Sequence, residues 1–364
     1  MLSSTSSFKP SENPPTYQRE IPAGRLGLTW IAAIACFLLG LLAWEMNWRA
    51  YGSVPSYRNS DGLWAMQRRR IDAGEGDRTV IIGSSRLLFD IQLPVWERSF
   101  GERPIQLALE GTGPVPFLED LANDPHFTGR LLIGVSPVLY FMGFDRRVGA
   151  LDLLQRETLA QRAGQWLSMH LVEPFFAYYD EDFALMTVLK RQPWPDRAGA
   201  PSPPEVRKLS THGADRNFQM WSKVENDPQY QEMARRTWSQ LIKWRRKGGP
   251  PPDPAKLREE HIRRSIAAVA KLRARGVPVI FVRPPSAGEW LAAEEGGFPR
   301  AETWDVLLQR TEAGGIHFQD YPELQGLTLP EWSHLSRADA EKFTERLCRI
   351  LHKEFGWALT SPSP

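Results

Sequence analysis

Residues 79–96 read TVIIGSSRLLFDIQLPVW. The opening TVII is a β-branched run of the length of a buried strand, GSSR is a tight turn around Gly83, and LLFDIQ begins the next element. Similar apolar runs recur at residues 104–109, 130–135, 277–282 and 316–319. Helix-length amphipathic stretches separate them. In residues 254–275, Ile262, Ile266, Val269 and Leu272 fall on one helical face, and Gly276 ends the helix just before VPVIFV. Strand and helix in alternation predict an α/β domain with a mostly parallel sheet sandwiched by helices.

One spacing departs from that rhythm. About 140 residues separate Val135 from Val277, whereas a βαβ unit takes some tens, which predicts an insertion, placed at 145–255. Its sequence is helical around 150–190 and 229–244, parted by the Pro-rich stretch RQPWPDRAGAPSPPEV and closed by KGGPPPDP. Trp166, Tyr178, Tyr179, Trp194, Trp221, Trp238 and Trp244 crowd the segment. They read either as the core of the insertion or as a lid or glycan-contacting wall.

Upstream, residues 26–44 (LGLTWIAAIACFLLGLLAW) carry no charge. As a helix they span roughly 28 Å, close to the hydrocarbon thickness of a bilayer. A polar leader precedes them and no small-residue cleavage site follows, so an uncleaved single-pass anchor is expected. The division is then a disordered cytoplasmic leader (1–25), an anchor (26–44), a juxtamembrane connector (45–77), the α/β domain (78–356) and a tail (357–364). In the connector, Arg68, Arg69 and Arg70 read as a solvated helix face or as a contact for anionic headgroups.

With 45 Lys+Arg against 43 Asp+Glu, the net charge is +2. No basic excess exists to neutralise phosphates, so no nucleic-acid partner is expected. Cys36 and Cys348 are the only cysteines, and Cys36 lies in the apolar run, which sets aside a disulfide or a Cys-based zinc site. No P-loop, Gly-rich dinucleotide turn or His-rich metal spacing occurs, so neither a metal nor another cofactor is expected.

The chemistry-bearing residues sit at the two ends of the domain. Ser84 and Ser85 follow the first strand at the carboxyl edge of the sheet, where open α/β sheets bind ligands. There a serine Oγ can attack a carbonyl, or can simply cap the helix. Near the other end, EWSH places Glu331 three residues before His334. A carboxylate at that separation can accept the Nδ1 proton and leave Nε2 free as a base, the arrangement of nucleophilic acyl transfer. Arg283, ending VPVIFV, is either a loop arginine or a contact for an anionic sugar or carboxylate.

In motif order, residues 78–355 resemble the SGNH (GDSL-like) hydrolase superfamily. Closest is its membrane-anchored extracytoplasmic branch, including proteins of polysaccharide O-acetylation and teichoic-acid D-alanylation. Gly83-Ser84-Ser85 resembles the first block, Gln106-Leu107-Ala108-Leu109-Glu110-Gly111 the second, Gly134-Val135-Ser136-Pro137 the third and Glu331-Trp332-Ser333-His334 the last. The resemblance implies a nucleophile at Ser85, a base at His334 oriented by Glu331, and oxyanion contacts from the Ala108 N–H and Ser136. Ser84 stands where the family has Asp, and Ser136 where it has the oxyanion-hole Asn. The second change predicts a weakened oxyanion hole.

The implied function is a serine esterase or O-acyltransferase acting on an exported polysaccharide or cell-envelope glycan. It would be held in a bacterial inner membrane with its domain in the periplasm, and a membrane-bound O-acyltransferase is an expected partner. The alternative is a non-catalytic glycan-binding or scaffold protein of the same fold.

Overall fold

The computed structural model describes residues 24, 26–192, 208–247 and 253–360. The chain divides into two units, residues 1–47 and 48–364. The described part of the first unit is essentially one helix. Leu26–Ala50 is long and apolar enough to cross a membrane, with a mean hydropathy of 2.3 over its most apolar window.

The second unit is built on five parallel strands, β1 (Thr79–Ile82), β2 (Ile105–Gln106), β3 (Arg130–Gly134), β6 (Val279–Arg283) and β7 (Gly314–His317), in the order β2-β1-β3-β6-β7. An antiparallel hairpin, β4 (Ser210–His212) and β5 (Phe218–Met220), lies within the insertion. All four residues of β1 are buried, which is why its sequence lacks polar alternation. Val80, Ile82, Leu131, Ile133 and Phe281 share one core with Trp64, Leu118, Val269 and Leu272 from the covering helices. Ile81, Leu132 and Ile280, which alternate to the other face, are equally buried. The sheet is therefore covered on both sides.

From β1 the chain runs outward to β2, then returns to place β3 on the other side of β1. This reversal is the topological switch point, and its crevice opens at the carboxyl ends of β1 and β3. Gly83 turns the chain there with φ +154°, and a Cβ on it would lie 3.0 Å from Gly134 Cα. Gly83→Ala is expected to lower stability by about 1–3 kcal/mol through backbone strain, read as a drop in the urea midpoint at unchanged slope.

Several boundaries differ from the expectation. Residues 45–77 are not a loose connector, because Asp61–Arg70 is a helix whose Leu63, Trp64 and Ala65 are buried. Its arginines face neither solvent alone nor lipid. Arg68 Nε donates to Asp120 and Nη2 to Asp124, both at 2.7 Å, Arg69 pairs with Glu157, and Arg70 pairs with Glu75. Residues 357–360 are not a free tail either, since Trp357 is buried against Trp96 and Phe100 and the Thr360 N–H donates to Ser99 O.

The expected strand at 104–109 shortens to Ile105–Gln106, although the Leu107 and Leu109 N–H groups still donate to Ile81 O and Gly83 O, while side chains serve the Ala108 N–H and the Leu107 and Ala108 carbonyls. The insertion is mostly helical, with Gly149–Arg156, Leu159–Leu171, Leu185–Lys190 and Pro228–Lys247, but it also carries the β4–β5 hairpin, which the sequence did not announce. That hairpin is wedged into the domain. Gln92 Nε2 donates to Phe218 O, the Leu93 N–H donates to Asn217 Oδ1, and the buried Arg216 donates to Asn59 Oδ1, Gln106 O and Ala108 O. Most of the Pro-rich stretch, including Trp194, lies outside the described residues.

Candidate active site

Two serines share the turn after β1. Ser84 is the N-cap of the helix Ser85–Asp90, its Oγ accepting the Arg86 N–H. That role leaves Ser85, the first helical residue, with its Oγ free to point elsewhere. Ser85 Oγ lies 2.8 Å from His334 Nε2, across 249 residues of chain. His334 Nδ1 lies 2.8 Å from Glu331 Oε1, which also accepts the His334 backbone N–H at 2.7 Å. With Nδ1–H donating to the carboxylate, Nε2 presents a lone pair to the serine hydroxyl. Trp332, at φ +73°, supplies the left-handed turn between Glu331 and His334.

The triad is held from several sides. The His334 ring stacks on Phe89 at 4.2 Å. Glu331 is fully buried, and its second oxygen accepts the indole N–H of Trp238 from the insertion helix Pro228–Lys247. Three N–H groups thus converge on one carboxylate, none of them carried by a lysine or arginine. Close by, Asp90 accepts the Leu335 N–H through Oδ1, while Oδ2 is buried without a partner among the described residues. Burial, abetted by the charge of Glu331, holds the Asp90 carboxyl well above the usual range.

Beside Ser85, the buried Arg86 donates to Glu294 through Nη1 at 3.2 Å and Nη2 at 2.7 Å. Glu294 also accepts from Arg283 Nη2 at 2.7 Å, Ser286 Oγ at 2.9 Å and Trp290 Nε1 at 3.1 Å. Despite its burial, these partners keep the Glu294 carboxyl below its ordinary range. This network corrects the expectation for Arg283. Its guanidinium is consumed by Glu294, Ser286 and Pro284 O, burial brings its pKa down to about 10, and it lines a separate small cavity with His317 and Phe318. Arg283 is not among the residues that line the serine cavity.

Of the two expected oxyanion contacts, Ser136 lines the cavity that holds Ser85, with its Oγ 2.5 Å from Ser84 Oγ across the switch point. Ala108 does not. Its N–H donates to Gln106 Oε1 at 3.0 Å and its carbonyl accepts from Arg216, so the side chain of Gln106 takes the donor assigned to an incoming anion. The N–H groups of Ser85 and Gly111 have no partner among the described residues, and both residues line the cavity.

The cavity has a volume of about 520 Å³, within the range of small-molecule sites. Phe89, Leu139, Phe144, Leu241 and Trp290 give it apolar walls. The insertion supplies Asp180, Glu181, Asp182, His212 and Trp238 to the same wall, so it covers the carboxyl edge of the sheet. Desolvation, then the charges of neighbouring carboxylates, raises Glu181 and brings Asp182 to about 6. His212 stacks on Phe218 at 4.1 Å with neither ring nitrogen partnered among the described residues, and burial holds it well below its ordinary value.

Trp238, Arg86, Glu294 and Asp90 are the residues that motif reading missed. Trp238 stood in sequence only as one of many aromatics, and nothing in spacing joins it to a glutamate 93 residues away. Set against known proteins, the chain matches no family model and no curated protein.

Proposed function

We propose that the protein is a serine-dependent esterase or O-acyltransferase of the SGNH type, anchored by its N-terminal helix, with its α/β domain on the extracytoplasmic side of a bacterial inner membrane. The observation that carries this reading is the chain of 2.8 Å contacts from Ser85 Oγ through His334 to Glu331. As Ser85 Oγ attacks an acyl carbonyl, its proton passes to His334 Nε2, and Glu331 stabilises the imidazolium. The oxyanion meets the Ser85 N–H, with the Gly111 N–H and the Ser136 hydroxyl in the same cavity. Collapse breaks the ester C–O bond, and His334 returns the proton to the departing alcohol. Water or an acceptor hydroxyl then gives its proton to His334 and attacks the acyl carbon, and as the acyl–Oγ bond breaks His334 returns that proton to Ser85 Oγ.

The cavity favours a ligand that is partly apolar and partly hydroxylated, which suits an acylated sugar of an exported polysaccharide or envelope glycan. A membrane-bound O-acyltransferase would be a natural source of acyl groups for it. One observation favours the non-catalytic glycan-binding reading: Ala108 offers no oxyanion donor and Ser136 replaces an asparagine. The two readings separate on a fluorophosphonate probe. Covalent labelling of the intact chain that disappears in Ser85→Ala supports the enzyme, and no labelling of either supports the binding protein.

The indole of Trp238 gives a finer test. Trp238→Phe keeps the ring and removes the N–H from Glu331 Oε2. A hydrogen bond to a charged group contributes about 1.5–3 kcal/mol, so kcat is expected to fall about tenfold or more with KM for a small ester little changed. An unaltered kcat would mean that Trp238 is wall and nothing else.

A further inference from the structure

The helix Leu159–Leu171 buries only Met169 and leaves most of its large apolar side chains outside. Its exposed side carries Leu159, Ala163, Trp166, Leu167 and Leu171 at helical spacing, with Leu159 81% exposed. The side turned toward the protein carries the buried Met169 together with two polar residues, Gln165, which accepts from Ser60 Oγ, and Ser168, which donates to Glu173. Phe175 and Phe176 follow, also exposed, and Leu185, Met186 and Leu189 on the next helix continue the pattern. Leaving aside the helix Leu26–Ala50 and Val54, every exposed large apolar side chain among the described residues lies between positions 159 and 189. Such concentration is unusual for a surface in water and marks contact with another apolar phase.

Chain continuity identifies the phase. Arg49 Nη2 donates to Phe175 O at 2.9 Å, and Trp48 stacks on Phe183 at 4.6 Å. Arg49 follows the last residue of the apolar run, Trp44, by five positions, at most about 18 Å of extended chain. A segment held by Arg49 therefore cannot stand far from the bilayer that the run enters. At 13 residues, Leu159–Leu171 is too short to span, but its outward leucines and Trp166, with His170 stacked on Trp166, suit a helix that lies in the interface.

We propose that residues 159–189 form a second membrane contact, with their exposed apolar side chains seated at the boundary of headgroups and acyl chains. The insertion would then hold the cavity's wall against the lipid surface. This inference rests on the reading of Leu26–Ala50 as an anchor, and the test separates the two. The full chain, with Cys348 replaced by Ala, is reconstituted in nanodiscs of phosphatidylethanolamine and phosphatidylglycerol. A nitroxide label is placed in turn on native Cys36 and, in a Cys36→Ser background, on Leu167→Cys, Leu185→Cys and the exposed control Lys353→Cys. Collision with oxygen is compared with collision with a water-soluble nickel chelate.

The labels at 36, 167 and 185 are expected to show an oxygen-to-nickel ratio several-fold above that at 353. If 167 and 185 resemble 353 while 36 is in lipid, the surface contact is overturned and the anchor stands. If 36 is also in water, the anchor falls and the contact with it. Labels at 167 and 185 that are wet in nanodiscs but shielded in native membranes would identify a protein occupant and overturn the lipid assignment.

Discussion

On the proposed mechanism, Ser85→Ala and His334→Ala are each expected to lower turnover of an acyl ester by about 10⁴-fold or more, to nearly the same residual rate, because a nucleophile and its base act as one unit. Equality of the two losses is the informative part. Were His334 merely a buried ring stacked on Phe89, its removal would cost stability and leave the rate of the surviving fold largely intact. Glu331→Gln is expected to fall almost as far. The carboxylate accepts from the His334 backbone, from Nδ1 and from Trp238, whereas a glutamine has one acceptor oxygen and must turn its NH₂ toward at least one of these donors. Combining Glu331→Gln with Trp238→Phe removes that clash and should recover part of the loss. A double variant no faster than Glu331→Gln alone would argue against the convergence of donors as the cause. Turnover unchanged in all these variants would place the chemistry elsewhere and leave the binding reading.

The largest expected effect on stability belongs to Glu294. It is buried between two buried arginines, Arg86 and Arg283. Glu294→Gln leaves both guanidinium charges without a counter-charge, and breaking a buried pair in this way costs about 3–5 kcal/mol. For a domain of this size the melting temperature should drop by roughly 10 °C. The pH dependence has a definite sign. The folded carboxyl titrates below its ordinary value, so its contribution is complete above about pH 4.5. It is lost as the pH falls through the folded value. The variant should therefore show a flatter acid limb than the parent, and parallel acid limbs would mean that Glu294 is not the group responsible. Because Arg86 adjoins Ser85, activity should decline before the global transition.

The strands were legible because parallel strands buried on both faces leave continuous apolar runs, as TVII does, and the glycine after it announces the turn. Ser85, Glu331 and His334 were legible because local rules govern them: a turn at a strand end, and a three-residue offset within one loop. What escaped was set by distant partners. Gln106 looked like a motif position, yet its side chain takes the Ala108 N–H and donates to Leu87 O. Arg283 looked available at the sheet edge, yet a glutamate eleven residues on claims it. The residues before Arg78 read as a connector because one turn of Trp64 and its neighbours is too short to signal burial by periodicity.

The way the insertion closes the site bears on the order of folding. The contacts that complete the site join positions 249, 110 and 93 residues apart: Ser85 with His334, Gln106 with Arg216, and Trp238 with Glu331. Each closes a long loop whose entropy is lost before the contact forms. Pairing of β1 with β2 needs a far shorter closure, joining Val80 to Ile105. A nascent chain can thus lay down the β1–β2 edge of the sheet while the insertion is still being made. His334 and Glu331 are made only after the whole insertion, so Ser85 has no histidine partner until the loop that carries them docks at the switch point.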